Sequence, residues 1–483
     1  MKIEQVHIKN FRLIEDAHIS LKDLTMLIGN NGTGKTSILE AIHYALSPNY
    51  LSGKIEPTDF NNGTNDEIQI ELVFDKTFTI EIPDGYVKQE VICKKIHLDI
   101  KKRERATPNK SFSDGYVITH YFVPEYAKNT SDGWEQPRKG GKPFQFSKRH
   151  LAINYSDTDN TLKSFYFNKN RSIQIKRGYN SSITSIFDDF NWRFINNLAD
   201  SEKDYIANKK TLENQIISNI DDKSLDKSIT SLNEKLKEFG IPDVGISFIE
   251  SHSPFNSAFL SNSINTMDIK VDKLGSGIEM IISLMLLETL ASLSKDEIMI
   301  IIDEPELHLH PSLQEHFIKY LKRISSEKQI LLSTHSPYFF INCCSDSNIK
   351  LLVTETIDKK CIVKDSDVQL HTFPWSPSWG EINYFAYNLP TIEFHNELYG
   401  YCQKLTKTSS VKEFEKYLDD KGKNKSKEWI REEKGTLSTS KHSIMSYIRN
   451  LIHHPENQYN DPYTPEELMN SIDKMLKFID NLK

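Results

Sequence analysis

Long apolar runs are missing from this 483-residue chain. No stretch reaches the roughly 18 apolar residues that a membrane-spanning helix requires, so no membrane contact is expected. The run Ile298–Ile302 is short and ends in acids. The opening MKIEQVHIKN has no apolar core of a secretory signal. Cysteine is scarce. Cys93, Cys343, Cys344, Cys361 and Cys402 form no CxxC pair, which argues against a disulfide frame or a cysteine zinc site and for thiols in a reducing cytoplasm. An excess of positive charge is missing too. The net charge of −7 excludes a uniformly basic coat for nucleic acid but leaves a local basic groove open. No internal repeat is visible. What remains is a soluble composition, 38% hydrophobic and 26% charged, long enough for two or three domains.

Leu24–Ile28 is a short apolar run that ends in glycine, as a buried parallel strand would. Ser37 to Leu46 then sets Ile38, Leu39, Ile42, Ala45 and Leu46 on one helical face. Residues 64–100 alternate in the manner of antiparallel strands, and 101–160 turn polar, as inserted loops and strands would. Residues 181–240 predict helices, 266–355 return to strand-helix-strand order, and helices predominate after about Pro390. Thr464-Pro465-Glu466-Glu467 predicts a capped helix start.

Between the first strand and helix lies Gly29-Asn30-Asn31-Gly32-Thr33-Gly34-Lys35-Thr36, which fits GxxxxGK[ST]. Glycines let backbone N–H groups curl around phosphate oxygens, and the following helix start adds positive potential. Lys35 would reach the β- and γ-phosphates of ATP, and the Thr36 hydroxyl would hold Mg²⁺. The strand Ile298–Ile302 delivers Asp303 and Glu304 at its end, where ligands sit in open α/β sheets. Asp303 would hold Mg²⁺ directly or through water, and Glu304 would act as general base on the attacking water. Gly275-Ser276-Gly277 opens a long apolar helix and can offer Ser276 and backbone N–H groups to an anion. Gln329–Thr334 is another apolar strand and ends at His335, whose neutral ring could bond the γ-phosphate or the water.

Together, IKNFR (8–12), GNNGTGKT (29–36), LGSGIE (274–279), IIIDEPELHLHP (300–311) and STHSP (333–337) resemble the ABC-type ATPases of the RecF/SMC/OLD group. DEPELHLHP followed by STHSP is especially similar to the OLD-related ATPases of bacterial anti-phage systems, and the general layout is similar to the ATPases of the Septu and PARIS systems. The resemblance covers about 1–360. It implies an α/β fold: an ABC/SMC-type P-loop ATPase head, an inserted mixed region and a C-terminal all-helical domain. Its divisions would be 1–100 with the P-loop, 101–265 inserted, 266–385 with the other nucleotide motifs, and 386–483 as the helical domain. It implies that two heads sandwich ATP, that Ser276 acts on the nucleotide of a partner copy, that His308 to Pro311 is a dimer contact, that His335 is a switch histidine, and that Arg12 lies near the nucleotide. No Q-loop glutamine is evident; Phe165 to Arg171 lies where one would fall and supplies Asn, Lys and Arg instead.

In the tail, Arg449 to His454 matches RNxxxH, the pattern of HEPN ribonucleases, and that resemblance implies arginine and histidine acting on RNA without metal. A structural cap around Pro455 is the competing reading. Glu355 with Asp365 and Asp367 leaves no room for a Toprim unit and predicts a hairpin closing the ATPase sheet. The expected function is an ATP-hydrolysing sensor or scaffold of a defence system, homo-oligomeric through its heads, with a separate effector such as a nuclease. The alternatives are an ATP-gated HEPN-type ribonuclease, with tRNA as one target, and a RecF/SMC-like DNA repair ATPase.

Overall fold

The computed structural model describes residues 1–46, 51, 54–84, 86–103, 115–138, 142–153, 162–168, 224–249, 257–264, 267–270, 275–294, 297–307, 309–343, 346–365, 372–376, 378–422, 426–433 and 435–482. The chain divides into two compact units. One comprises Met1–Ile28 and Gly32–Val363; the other comprises Gly29–Asn31 and Lys364–Lys483.

The first unit begins with β1 (Ile3–Phe11), β2 (Ile14–Ser20), β3 (Leu24–Gly29) and α1 (Lys35–Leu46). Then come β4 (Ile68–Asp84), β5 (Val87–Lys102), β6 (Tyr116–Pro124), the short β7 (Lys128–Asn129), β8 (Trp134–Gln136) and β9 (Phe144–Phe146), and β10 (Lys163–Phe167). The chain continues with α2 (Ser224–Lys237), β11 (Val244–Ile249), β12 (Ser257–Ile264), β13 (Met267–Lys270) and α3 (Ser276–Ser294). It closes with β14 (Ile298–Asp303), α4 (Pro311–Ile324), β15 (Gln329–Thr334), α5 (Pro337–Cys343), β16 (Ile349–Ile357) and β17 (Lys360–Asp365).

Two sheets organise this unit. The antiparallel one runs β2-β1-β4-β5-β6, and the other runs β10-β14-β15-β3-β16-β17. Strands β10, β14, β15 and β3 pair in parallel. β3, β14 and β15 are buried at every position, which matches their unbroken apolar runs. Helix α1 packs between the sheets, touching β1, β4 and β5 on one side and β10, β14 and β15 on the other. Its apolar residues Ile38, Leu39, Ile42 and Ala45 are fully buried there.

The paired strands expected in 64–100 are β4 and β5. Within the stretch expected as an insertion, 101–265, β6 extends the first sheet and β10 edges the second, while β7–β9 and β11–β13 form small sheets of their own. The predicted hairpin near Glu355 is present as β16–β17 at the opposite edge. Asp358 (φ 50°) and Lys359 (φ 65°) make its tight turn in the left-handed region that two-residue hairpin loops favour.

The second unit holds α6 (Trp379–Tyr387), α7 (Ile392–Thr406), α8 (Val411–Asp420), β18 (Lys427–Glu433), β19 (Thr436–His442), α9 (Ile444–His453) and α10 (Pro465–Asp480). Asn30 donates here to the Tyr387 carbonyl at 3.0 Å. The capped start at Thr464 is formed: its hydroxyl accepts from Glu467 N–H and the Glu467 carboxylate accepts from Thr464 N–H. The region is helical but not all-helical. The β18–β19 hairpin corrects that expectation, and Trp429 on β18 packs edge-on against Tyr447 of α9. No helix of the described residues is long and apolar enough to cross a membrane.

Candidate nucleotide site

The parallel order β14-β15-β3 sets three loop starts side by side at the carboxyl ends of the strands. Each carries one motif expected from the sequence.

After β3 the chain turns through Gly29 (φ 147°), Gly32 (φ 74°) and Gly34 (φ 96°) into α1. Gly34 is needed twice over. Its φ disfavours a side chain, and an added Cβ would lie 2.7 Å from the Cys361 sulfur on β17. Thr33 is anchored by its hydroxyl, 2.6 Å from that of Thr354 on β16. Asn30 and Asn31 are exposed at the tip. Lys35 follows and is 4% exposed. Burial drives its pKa from 10.5 to about 8, although Glu304, Asp303 and Glu306 pull it up.

The Thr36 hydroxyl donates to the Asp303 carboxylate, 3.0 Å from Oδ2 and 3.3 Å from Oδ1. Asp303 is 1% exposed and also accepts from the Ser333 hydroxyl at 2.5 Å. The next residue, Glu304, takes φ 49°, a costly conformation for a side chain of this size. Its N–H donates to the Ser333 carbonyl and hydroxyl, both at 3.1 Å. That turn places Glu304 Oε1 3.5 Å from His335 Nε2 at the end of β15. Burial and then Lys35 lower the His335 pKa, so the ring is neutral near pH 7. The His335 N–H donates to Glu306 Oε1 at 2.5 Å, and burial raises the Glu306 pKa.

Lys35, Thr36, Asp303, Glu304 and His335 are therefore brought together. Arg12 pairs with two acids: its guanidinium lies 2.6 Å from Glu40 on α1 and 2.8 Å from Asp59. Ser276 opens α3 after Gly275 (φ 102°), and Gly277 is buried, but the Ser276 side chain, Leu274 and His308 lie outside the described residues. Ser333 and Glu306 carry no assigned role in the sequence reading, although both stand inside its motifs. Asn168 is a further residue at this site. β10 pairs with β14 so that Phe167 faces Ile302, which brings Asn168 to the level of Asp303. Its Oδ1 is buried with no hydrogen-bond partner, as is the Tyr166 hydroxyl. The neighbouring Lys169 to Arg171 lie outside the described residues.

A magnesium nucleotide fits this donor set. A half-buried hydroxyl in contact with a buried carboxylate suits a hard cation, a buried lysine suits phosphate, and the unpartnered buried Asn168 oxygen, at the level of Asp303, has its bond still to make.

Arg449 donates to Asn450 Oδ1 at 3.2 Å. His454 leaves helical geometry (φ −128°, ψ 60°), as expected of a residue before proline, and lies 3.1 Å from the Glu456 carboxylate.

The family profile described as AAA ATPase domain matches residues 1–340. The chain belongs to the AAA ATPase domain family. Relatives include a protein named OLD nuclease from Thermus scotoductus, 25% identical over 355 residues, which are 70% of this chain and 59% of that protein. Endonuclease GajA of Bacillus cereus is 25% identical over 74% of this chain and 59% of its own length. A retron Ec83 probable ATPase of Escherichia coli is 26% identical over 70% and 69%. This AAA ATPase chain thus spans about three-fifths of the first two relatives. An Smc head domain from Pyrococcus furiosus aligns over 76% of this chain with 12% identity and a TM-score of 0.44.

Proposed function

We propose that this AAA ATPase binds Mg·ATP at the ends of β3, β14 and β15 and hydrolyses it to ADP and phosphate, as a sensor or scaffold of a bacterial anti-phage defence system. One observation carries the hydrolytic reading: Glu304, turned by its left-handed backbone, lies 3.5 Å from His335 beside Lys35, Thr36 and Asp303. Lys35 and the loop amides bind phosphate; Thr36 and Asp303 hold the magnesium ion, which neutralises phosphate charge. Glu304 accepts the proton of the attacking water, and His335 orients that water or the terminal phosphate.

The defence context rests on relatives named OLD nuclease, endonuclease GajA and retron ATPase. Ser276 and Gly277, at the start of α3, would complete the nucleotide site of a second copy, so that ATP pairs the heads and hydrolysis releases them. A separate effector, such as a nuclease, would read the paired state. A second reading makes the tail an RNase of HEPN type. It is favoured by His454 being half-exposed and out of helical geometry at the end of the helix that carries Arg449.

Lys35→Ala and Glu304→Gln test the site. Both should abolish turnover, and Glu304→Gln should keep nucleotide and accumulate paired heads on a sizing column; unchanged hydrolysis in both variants would end the assignment. His454→Ala should abolish RNA cleavage or toxicity under the second reading alone.

A further inference from the structure

Away from the nucleotide site, three side chains on the β1–β2 pair converge with no role in ATP chemistry. The strands are antiparallel, with His7 opposite His18 and Lys9 opposite Asp16. Val6, Ile8, Ala17 and Ile19 point to the core, so the alternation leaves His7, Asp16 and His18 together on the other face. His7 Nε2 lies 2.8 Å from Asp16 Oδ1, and His18 Nε2 lies 3.6 Å from the same oxygen. The two imidazoles stack with centroids 3.9 Å apart and planes at 13°. The three donor atoms lie within 4.8 Å of one another.

Hydrogen bonding accounts for only part of this arrangement. One N–H from His7 explains the 2.8 Å contact, whereas 3.6 Å is beyond a hydrogen bond for His18. Both Nε2 atoms lie close to one carboxylate oxygen, and a shared cation would use both nitrogens and the oxygen together. Directly opposed residues on antiparallel strands have Cβ atoms about 5 Å apart, a span that two imidazoles bridge through one ion. The backbone is held by a buried face, so the donors sit on a rigid support, while His18 (75% exposed) and Asp16 (52% exposed) leave the ion a way in.

We propose that His7, Asp16 and His18 form a site for a divalent transition-metal ion of the zinc class, with a fourth position open to water or another ligand. Two imidazole nitrogens and one carboxylate suit Zn²⁺, Ni²⁺ or Cu²⁺ and disfavour Mg²⁺ and Ca²⁺, which prefer oxygen. The site is chemically distinct from Thr36 and Asp303, which offer oxygen alone. β2 is the end strand of its sheet, so the ion would staple that strand to β1.

The test uses the full chain, free of tags, stripped with chelator and kept in millimolar Mg²⁺. Zn²⁺ is titrated by calorimetry, and Co²⁺ by its visible absorption, into the wild type, His18→Ala and Asp16→Asn. The wild type should bind one equivalent that both variants lose, and Zn²⁺ should raise the melting temperature of the wild type alone. Cu²⁺ bound at this site should show two nitrogen donors in its electron paramagnetic resonance spectrum. Both variants should keep the metal-free melting temperature and the ATPase rate. Equal stoichiometry and affinity in all three proteins, or a wild type that binds Zn²⁺ no more tightly than Ca²⁺, would overturn the proposal.

Discussion

Replacing Lys35 with methionine should stabilise the nucleotide-free protein while destroying ATP binding. The buried ammonium has its pKa driven from 10.5 to about 8. A fall of about 2.5 corresponds to roughly 3 kcal/mol against the charged form. That is the net cost after Glu304, Asp303 and Glu306 have attracted the ammonium, so burial alone costs more. Methionine keeps most of the shape and removes the charge, although those carboxylates lose a cation. The expected gain is about 1–3 kcal/mol, read as a rise of several degrees in the first thermal transition without nucleotide. Mg·ATP should then raise the transition of the wild type and leave that of Lys35→Met unchanged. The pH dependence has a definite sign. Between about pH 8 and 10.5 the unfolded lysine holds a proton that the folded one has released, so the wild type gains stability as pH rises through that window. Below about pH 8 both states are protonated and the penalty is constant. Lys35→Met should lack this rise. A nucleotide-free Lys35→Met protein less stable than wild type by more than about 1 kcal/mol, with no difference in pH profile, would show that the burial argument is wrong.

Two further outcomes follow from packing and charge. Gly34→Ala should lose stability by about 2–4 kcal/mol, from φ 96° and from the 2.7 Å approach to the Cys361 sulfur; adding Cys361→Ala should recover the steric part only, and a double-mutant cycle in denaturant with no coupling would refute the contact. His97 on β5 offers a pH test. Burial opposes its charge, but a hydrogen bond to Asp99 at 2.8 Å and the Glu71 carboxylate 3.7 Å away outweigh this and raise its pKa to about 9, while His97 in turn helps hold Glu71 at about 2. Because the folded pKa exceeds the unfolded 6.5, this stabilisation is complete below about pH 6.5 and is lost as pH rises through about 9. His97→Gln should cost about 1–3 kcal/mol at pH 6 and little at pH 10, and a deficit independent of pH would remove the ionic explanation.

The legible parts of this molecule are those whose signal is local. Leu24 to Thr36 reads as strand, loop and helix because apolar run, glycines and amphipathic face follow one another without a gap, and the fold repeats that order. Asp303, Glu304 and His335 read as strand ends for the same reason. The β18–β19 hairpin was illegible because β19 is exposed at nearly every position, so no alternation of buried and exposed residues marks it. Residues that act through distant partners were also hidden. Ser333 meets Asp303 across 30 positions, and Cys361 meets Gly34 across a strand pairing that no short motif encodes. Asn168 stood inside a recognised segment, but only the pairing of Phe167 with Ile302 brings it to the level of Asp303.

These hidden contacts share a direction. Glu304 in a left-handed conformation and Lys35 stripped of water are each unfavourable alone, and both lie just beyond the ends of β14 and β3, where Gly34 leaves no room for a side chain against Cys361. A strained residue persists only where its surroundings over-determine it. Here the surroundings are three fully buried parallel strands and a helix wedged between two sheets, which leave the loop ends few other conformations. The two hydrogen bonds from Glu304 N–H to Ser333, and the one from Ser333 to Asp303, lock the costly turn to the neighbouring strand. Relaxing that turn would move the Glu304 carboxylate away from His335 and leave the fold standing. The strain is therefore better explained as the condition for holding the Glu304 carboxylate beside His335 than as a by-product of packing.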